Sequence, residues 1–342
     1  MKAIVKTGAG EDQLELKEWP EPVPAADEVK LRIAYAGICG TDIHIIKGEW
    51  PCNPPVVLGH EFCGTVTETG RSVTEFKVGD RVVASNPART CGTCLYCRAG
   101  NPFMCNKRIS VGYMIDGAFA EYLCMRQERC HKLPDTVSYR QAALGEPLSV
   151  AVHAVMERTI VHAGDVVVIS GPGCVGLLTA AVAKLEGATV IVAGIGRDAQ
   201  RLACAHEMGA DVVVDVSRED LPEVVRNHTR GIGADVVYEC AGASQSLELC
   251  WESVKRGGSL VPVGIYPGPI MTDFNKVTMK ELSVIGSFGY AWKSWQRTLW
   301  LLAERRINCE KLITHELPPH RFLEAFRSSR DGSAIKVVFK ID

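Results

Sequence analysis

The sequence predicts a mixed α/β chain in which a β-rich domain with irregular loops is joined to a doubly wound parallel sheet. Three observations carry that prediction. The chain has 342 residues, more than one domain of about 150. Residues 1–150 hold short β-type runs broken by glycine and proline, with no long helical pattern. From residue 151 onward, apolar runs of strand length alternate with helix-length connections, the pattern of a parallel sheet covered on both faces.

In the first half, Val29–Ala34, Gly64–Glu68 and Arg81–Ala84 read as strands. In the second, Asp165–Ser170, Thr189–Ala193, Asp211–Val216, Asp235–Cys240, Ser259–Gly264 and Leu282–Phe288 read as successive strands, and Val175–Leu185 as the helix joining the first two. Within Trp292–Ala303, Trp292, Trp295, Leu299 and Leu302 recur at helical spacing, which predicts a core-facing stripe. The β-type run Ile335–Ile341 is free to return to the first domain, because domain termini often lie close together. The expected division is residues 1–150 with about 290–342, and about 151–289.

Hydrophobic residues make up 46% and charged residues 23%, as in an ordinary soluble domain and unlike a disordered chain or a coiled coil. The net charge is -2, which argues against nucleic acid or an anionic membrane as partner. Met1–Gly8 lacks the apolar core of a signal peptide. No stretch of about 18 apolar residues predicts a transmembrane helix. The chain is therefore expected in the cytoplasm, with its fourteen cysteines reduced. Ten of them are scattered and read as small hydrophobes; Cys91, Cys94, Cys97 and Cys105 are bunched.

After the first strand of the second half comes Ser170-Gly171-Pro172-Gly173-Cys174-Val175-Gly176. A G-x-G-x-x-G turn between a strand and a helix is the fingerprint of a dinucleotide site. Gly171 suits the tight turn, Gly173 the close approach of a pyrophosphate, and Gly176 the packing of helix on strand. Cys174 and Val175 open the helix, whose N-terminus favours phosphate. Gly194 stands 23 residues after Gly171, where an acidic residue usually binds the ribose 2′-hydroxyl. Its absence removes repulsion against a 2′-phosphate, and Arg197 and Arg201 are placed to bind one. NAD(P) is the expected cofactor, NADP ahead of NAD, with Asp198 as the alternative ribose contact.

Cys91-x-x-Cys94-x-x-Cys97-x7-Cys105 is the spacing of a closed tetrahedral zinc site. Such a site would fold a loop with little apolar material of its own. An iron–sulfur cluster or unliganded thiols are the alternatives; the usual cluster spacing is tighter at the fourth cysteine. Three other places carry metal-type ligands beside glycines: Gly37-Ile38-Cys39-Gly40-Thr41-Asp42-Ile43-His44, Gly59-His60-Glu61 and Gly145-Glu146-Pro147. A thiolate, an imidazole and a carboxylate from such loops make a three-ligand zinc site with an open position, which Lewis-acid catalysis needs.

These motifs, with Asp116-Gly117-Ala118-Phe119-Ala120-Glu121-Tyr122 between them, resemble in order and type the zinc-containing medium-chain dehydrogenases. The likeness spans essentially the whole chain. It is closest to the polyol (sorbitol) and threonine dehydrogenase branch, in which glutamate follows the histidine directly. Glu146–Ala154 is similar to the sorbitol-type stretch. The resemblance implies a GroES-like catalytic domain, a Rossmann domain and two zinc ions per chain, one catalytic and one structural. It implies a catalytic zinc on Cys39, His60 and Glu61, with Glu146 as a further ligand, direct or through water. Asp42 would hydrogen-bond the ligand histidine. Thr41 and His44 would relay the proton of a secondary alcohol, a role that suits the ordinary pKa of histidine.

The same resemblance implies a small-molecule alcohol as partner and a homo-oligomer, dimer or tetramer. In Gly286-Ser287-Phe288-Gly289-Tyr290 the tyrosine of sorbitol-type enzymes is kept, but Gly289 stands where they carry arginine. Polyols, sugar acids, diols and simpler secondary alcohols all stay open. Competing readings are an L-threonine dehydrogenase, a non-catalytic nucleotide sensor on the same scaffold, and a zinc-free reductase of the quinone type.

Overall fold

A computed structural model describes residues 1–10 and 13–341. The chain begins with β1 (Lys2–Lys6), β2 (Leu14–Glu18), β3 (Glu28–Gly37), β4 (Val56–Val57), β5 (Glu61–Thr69), β6 (Arg81–Ala84), β7 (Tyr122–Arg126) and β8 (Cys130–Lys132). There follow β9 (Val166–Ser170), β10 (Thr189–Gly194), β11 (Val212–Asp215), β12 (Ala234–Glu239), β13 (Val254–Pro262) and β14 (Ser283–Val284), then β15 (Ile313–Leu317) and β16 (Lys336–Lys340). Two compact units result. The first comprises Met1–Glu146, Ala291–Arg305 and Cys309–Asp342; the second comprises Pro147–Tyr290 and Arg306–Asn308.

The first unit is built on two sheets. One runs β2-β1-β4; the other runs β15-β16-β3-β5-β6-β8, with β7 also paired to β3. β3 alternates inward residues such as Val29, Leu31 and Ile33, all fully buried, and β16 lies antiparallel to it, Val338 opposite Gly37. Val5, Leu58, Phe62, Phe119 and Phe339 fill the core between these elements. Burying an aliphatic or aromatic side chain of this size stabilises by about 1.5–3 kcal/mol.

The second unit is a six-stranded sheet in the order β11-β10-β9-β12-β13-β14, every pair parallel. β9, Val-Val-Val-Ile-Ser, is buried at every position, as a central strand covered on both faces must be. The strand order reverses between β9 and β12, and ligands of such sheets bind beyond the strand ends at that point. Ser170, Ala193 and Glu239 stand level there. Glu239 is fully buried, and its carboxylate accepts from the N–H groups of Ala241 and Gly242, Ser246 Oγ and Tyr266 Oη. It ties together the turns beyond β12 and β13.

Two expectations need correction. The regular strand that ends this sheet is Ser283–Val284, shorter than Leu282–Phe288, although Ile285 N and Ser287 N still donate to Leu260 O and Pro262 O of β13. In the helix Trp292–Ala303, Trp295, Leu299 and Leu302 are buried as expected, but Trp292 is 47% exposed. Trp292 covers His131 instead, at 4.3 Å between ring centroids.

His131 lies between Trp292 and Trp295, and its Nε2 shares a hydrogen bond of 2.8 Å with Ser85 Oγ. Burial pushes its pKa down to about 3, and Arg129 beside it acts in the same sense. An unfolded chain takes up that proton near pH 6.5, whereas the folded chain resists it. Stability at this residue is therefore full above about pH 6.5 and is lost as pH falls from there towards 3. His131→Asn should flatten the decline of Tm between about pH 7 and 5; equal acid sensitivity in both proteins would contradict this.

Candidate functional site

Strand register brings three separated ligand types together. Gly37, at the end of β3, pairs with Glu61, at the start of β5. Cys39 follows the first strand end and His60 precedes the second start, so both side chains emerge at one edge. Cys39, His60 and Glu61 each offer one ligand atom, and these atoms lie within 4.8 Å of one another. His60 and Glu61 are buried and Cys39 is half-buried.

The surrounding backbone holds this edge in place. Cys39 caps the short helix Gly40–Ile46, and its N–H donates to Asp42 Oδ2 at 2.9 Å. Gly59 O accepts from Ala118 N at 2.9 Å, and Asp116 Oδ1 accepts from Val57 N at 2.9 Å. A Cβ on Gly117 would come within 2.2 Å of Gly59 O. The Asp116-Gly117-Ala118 run thus closes on the His60 loop, backbone against backbone, and glycine is needed for that approach.

Asp42 Oδ1 and His60 Nδ1 are buried without hydrogen-bond partners, 3.6 Å apart. Burial opposes a charge on His60, but Asp42 and Cys39 outweigh it and hold its pKa well above the ordinary value. A proton and a metal cation therefore compete for this ring. The donor set suits zinc: one thiolate, one imidazole facing a carboxylate, and one carboxylate, all ligand types that zinc takes. Glu146 is buried but is not among the donors within that 4.8 Å group. Thr41 Oγ1 lies 3.7 Å from Cys39 Sγ. His44 is partly exposed, and its Nδ1 is 2.6 Å from Glu49 Oε2.

The four clustered cysteines form a second donor group, again within 4.8 Å. Their sulfur separations are 3.9 Å for Cys91–Cys97, 3.5 Å for Cys94–Cys97 and 3.6 Å for Cys91–Cys105. A tetrahedron of Zn–S bonds of about 2.3 Å has edges of about 3.8 Å. Backbone N–H groups of Cys94 and Lys107 point at the sulfurs of Cys91 and Cys105. Bonds from the Thr93 and Cys94 backbone pull the Cys91 thiol down to about 5. The Cys97 backbone acts likewise on Cys94, but desolvation and the neighbouring thiols push it up to about 11. Four thiolates this close need a cation to coexist. Only Phe103 and Cys105 of residues 91–105 are buried, so the lobe has almost no core of its own.

In the second unit the glycine turn connects β9 to the helix Cys174–Leu185. Gly171 has φ 101°, and a Cβ there would strike the Ala241 backbone at 2.6 Å. Gly173 caps the helix and faces open space. A Cβ on Gly176 would meet Gly171 O at 2.0 Å. Cys174 and Val175, half-buried, form the first helical positions. At the end of β10, Asp198 accepts from Ile195 N at 3.1 Å and from Arg201 at 3.1 Å. Its carboxylate is engaged with its own turn. Arg197 is exposed.

The chain resembles known proteins along its whole length. Residues 25–135 match the alcohol dehydrogenase GroES-like domain, and residues 174–304 match the zinc-binding dehydrogenase family. A sorbitol dehydrogenase from Halalkalibacterium halodurans is 42% identical, over 99% of this chain and 98% of its own length. The chain belongs to the zinc-containing medium-chain alcohol dehydrogenases. A D-arabitol-phosphate dehydrogenase from Enterococcus avium is 39% identical, over 99% of this chain and 97% of its own. A zinc-binding dehydrogenase from Sinorhizobium meliloti, solved bound to NADP, superposes with a TM-score of 0.92 at 31% identity, covering 99% of both chains. This medium-chain dehydrogenase is a zinc-dependent oxidoreductase that acts on alcohols with NAD(P). Among the described residues, no helix is long and apolar enough to cross a membrane.

Sequence reasoning missed two partners in this dehydrogenase. Glu49 holds His44, and Lys336, from β16, is bonded to Glu61. Glu49 lies five residues from His44, within reach of inspection. Lys336 lies 275 residues from Glu61 and carries no local signal.

Proposed function

We propose that this dehydrogenase interconverts the secondary alcohol of a polyol or related sugar-derived compound and its ketone, with NADP as the hydride partner. The convergence of Cys39, His60 and Glu61 in one donor group carries the reading. The sorbitol and arabitol-phosphate dehydrogenases among its relatives support the substrate class. When bound, zinc supplies Lewis acidity to the alcohol oxygen and NADP takes up hydride. Glu146 serves as a further carboxylate at the metal, direct or through water.

The chain's own residues move the proton. The Thr41 hydroxyl, beside Cys39, takes it from the alcohol, and His44 passes it to solvent. His44 Nδ1–H donates to the Glu49 carboxylate, which leaves Nε2 as the basic nitrogen. The four-cysteine lobe holds a second, structural zinc.

The NADP reading rests on steric and hydrogen-bonding facts. A Cβ at Gly194 would lie 2.8 Å from Pro172 and 3.1 Å from Asp198, so the usual acidic residue has no room there. Asp198 is committed to its own turn. We assign the pyrophosphate to Gly171, Gly173, Cys174, Val175 and Gly176, and the 2′-phosphate to Arg197 and Arg201 beside Gly194. One charge-assisted hydrogen bond is worth about 1.5–3 kcal/mol. NADP should therefore exceed NAD in kcat/KM by roughly tenfold or more.

Polyols, polyol phosphates, sugar acids, diols and L-threonine, assayed with both cofactors, test this. Best turnover of a polyol-type substrate with NADP is expected. Preference for NAD would defeat the assignment of Gly194 and the two arginines; best turnover of L-threonine would defeat the substrate class. NADP binding without turnover of any alcohol would favour a sensor.

We further propose a homo-oligomer, dimer or tetramer. β14 ends its sheet with both residues exposed, and Met271, Phe274 and Met279 of the same unit are more than half exposed. A sedimentation mass of one chain would contradict this. Fourteen cysteines free of disulfides suit a reducing cytoplasm; activity recovered in a secreted fraction would argue against that location.

A further inference from the structure

Lys336 is a buried lysine whose ammonium reaches the zinc-ligand edge. Its side chain and that of Glu61 are 3% and 2% exposed. Its Nζ donates to Glu61 Oε2 and, at 2.9 Å, to Ile38 O, the carbonyl next to Cys39. One ammonium thus holds the carboxylate of one ligand and the backbone leading into another. Gly37 makes room for it: a Cβ there would lie 2.5 Å from Glu61 Oε2 and 2.9 Å from Lys336 Cε. Glu61 lies in one donor group with the Cys39 sulfur, two anionic ligands that a fixed cation offsets.

We propose that Lys336 is a positioning residue for the catalytic zinc: by binding one carboxylate oxygen of Glu61 and the Ile38 carbonyl, it sets the ligand edge in a metal-ready arrangement before metal arrives. Burying a lysine is costly unless it is paired and hydrogen-bonded. An apolar residue would pack here without that cost if the role were only to join strands. The inference rests on the zinc reading of Cys39, His60 and Glu61.

Zinc affinity of the purified full-length chain, measured by competition with a chromogenic chelator, tests it. Loss of groups that orient metal ligands typically costs 10–100-fold in affinity. Lys336→Met is expected to weaken the catalytic zinc by about that factor and leave the four-cysteine zinc unchanged. Lys336→Arg, which keeps the charge and the donors, should restore part of it. Unchanged affinity in Lys336→Met overturns the proposal, as does equal weakening of both zinc ions or equal impairment in Lys336→Met and Lys336→Arg. Because Lys336→Met removes the ammonium paired with the buried Glu61 carboxylate, Glu61→Gln is compared with Glu61→Gln/Lys336→Met. Affinities within about twofold support action through Glu61, and a further roughly tenfold fall overturns it. If Cys39→Ser loses no zinc relative to the wild type, the zinc reading fails instead, which is a separate result.

Discussion

Cys39→Ser is expected to abolish turnover and leave NAD(P) binding close to that of the wild type. The serine hydroxyl is not a thiolate, so the site loses one of its three clustered donors and the anion that best binds zinc. Lewis-acid stabilisation by a bound metal is worth several kcal/mol, so the rate should fall by about 10³-fold or more. The glycine turn and Gly194 lie in the other compact unit, whose core does not depend on Cys39. Initial rates at saturating substrate, with cofactor affinity from fluorescence titration, make the check. Normal kcat in the variant would remove the mechanism.

The second large effect concerns the four-cysteine lobe. Cys105→Ser should unfold residues 91–105 locally, because the lobe is held by its sulfurs rather than by apolar packing. Structural zinc contributes on the order of 10 kcal/mol to the folding of small zinc modules. Loss of a few kcal/mol in a unit of this size lowers Tm by roughly 10 °C. Limited proteolysis should cut the variant at Arg98 inside the lobe or at Lys107 just beyond it, under conditions in which the wild type resists. Equal resistance would show that the lobe folds without its metal.

The fold was legible because its signals are local. The strands of the second unit announced themselves as apolar runs, Val166–Ser170 above all, and the glycine turn between β9 and its helix has one structural context. Errors fell where tertiary geometry decides. Nothing in Leu282–Phe288 reveals that only Ser283 and Val284 keep regular strand pairing while Ile285 and Ser287 bond to β13 outside it. Trp292 kept helical spacing but turned to cover His131.

The ligand edge was legible in part. Cys39, His60 and Glu61 stand out by residue type and flanking glycines, and strand register brings them together. Asp198 read as the alternative ribose contact, and its carboxylate is bound within its own turn. Lys336 was invisible because a lysine opening a short strand usually faces solvent. Its burial follows from the antiparallel pairing of β16 with β3, which sequence alone does not align.

We propose that one chain carries two zinc ions with different coordination, and that only the site of Cys39, His60 and Glu61 supports turnover. Zinc content of the purified chain, measured beside activity for the wild type and Cys39→Ser, tests it most directly. About two zinc ions per chain are expected, falling to about one in the variant together with loss of turnover. One zinc or fewer in an active wild type, or an active Cys39→Ser with its zinc content unchanged, would contradict it.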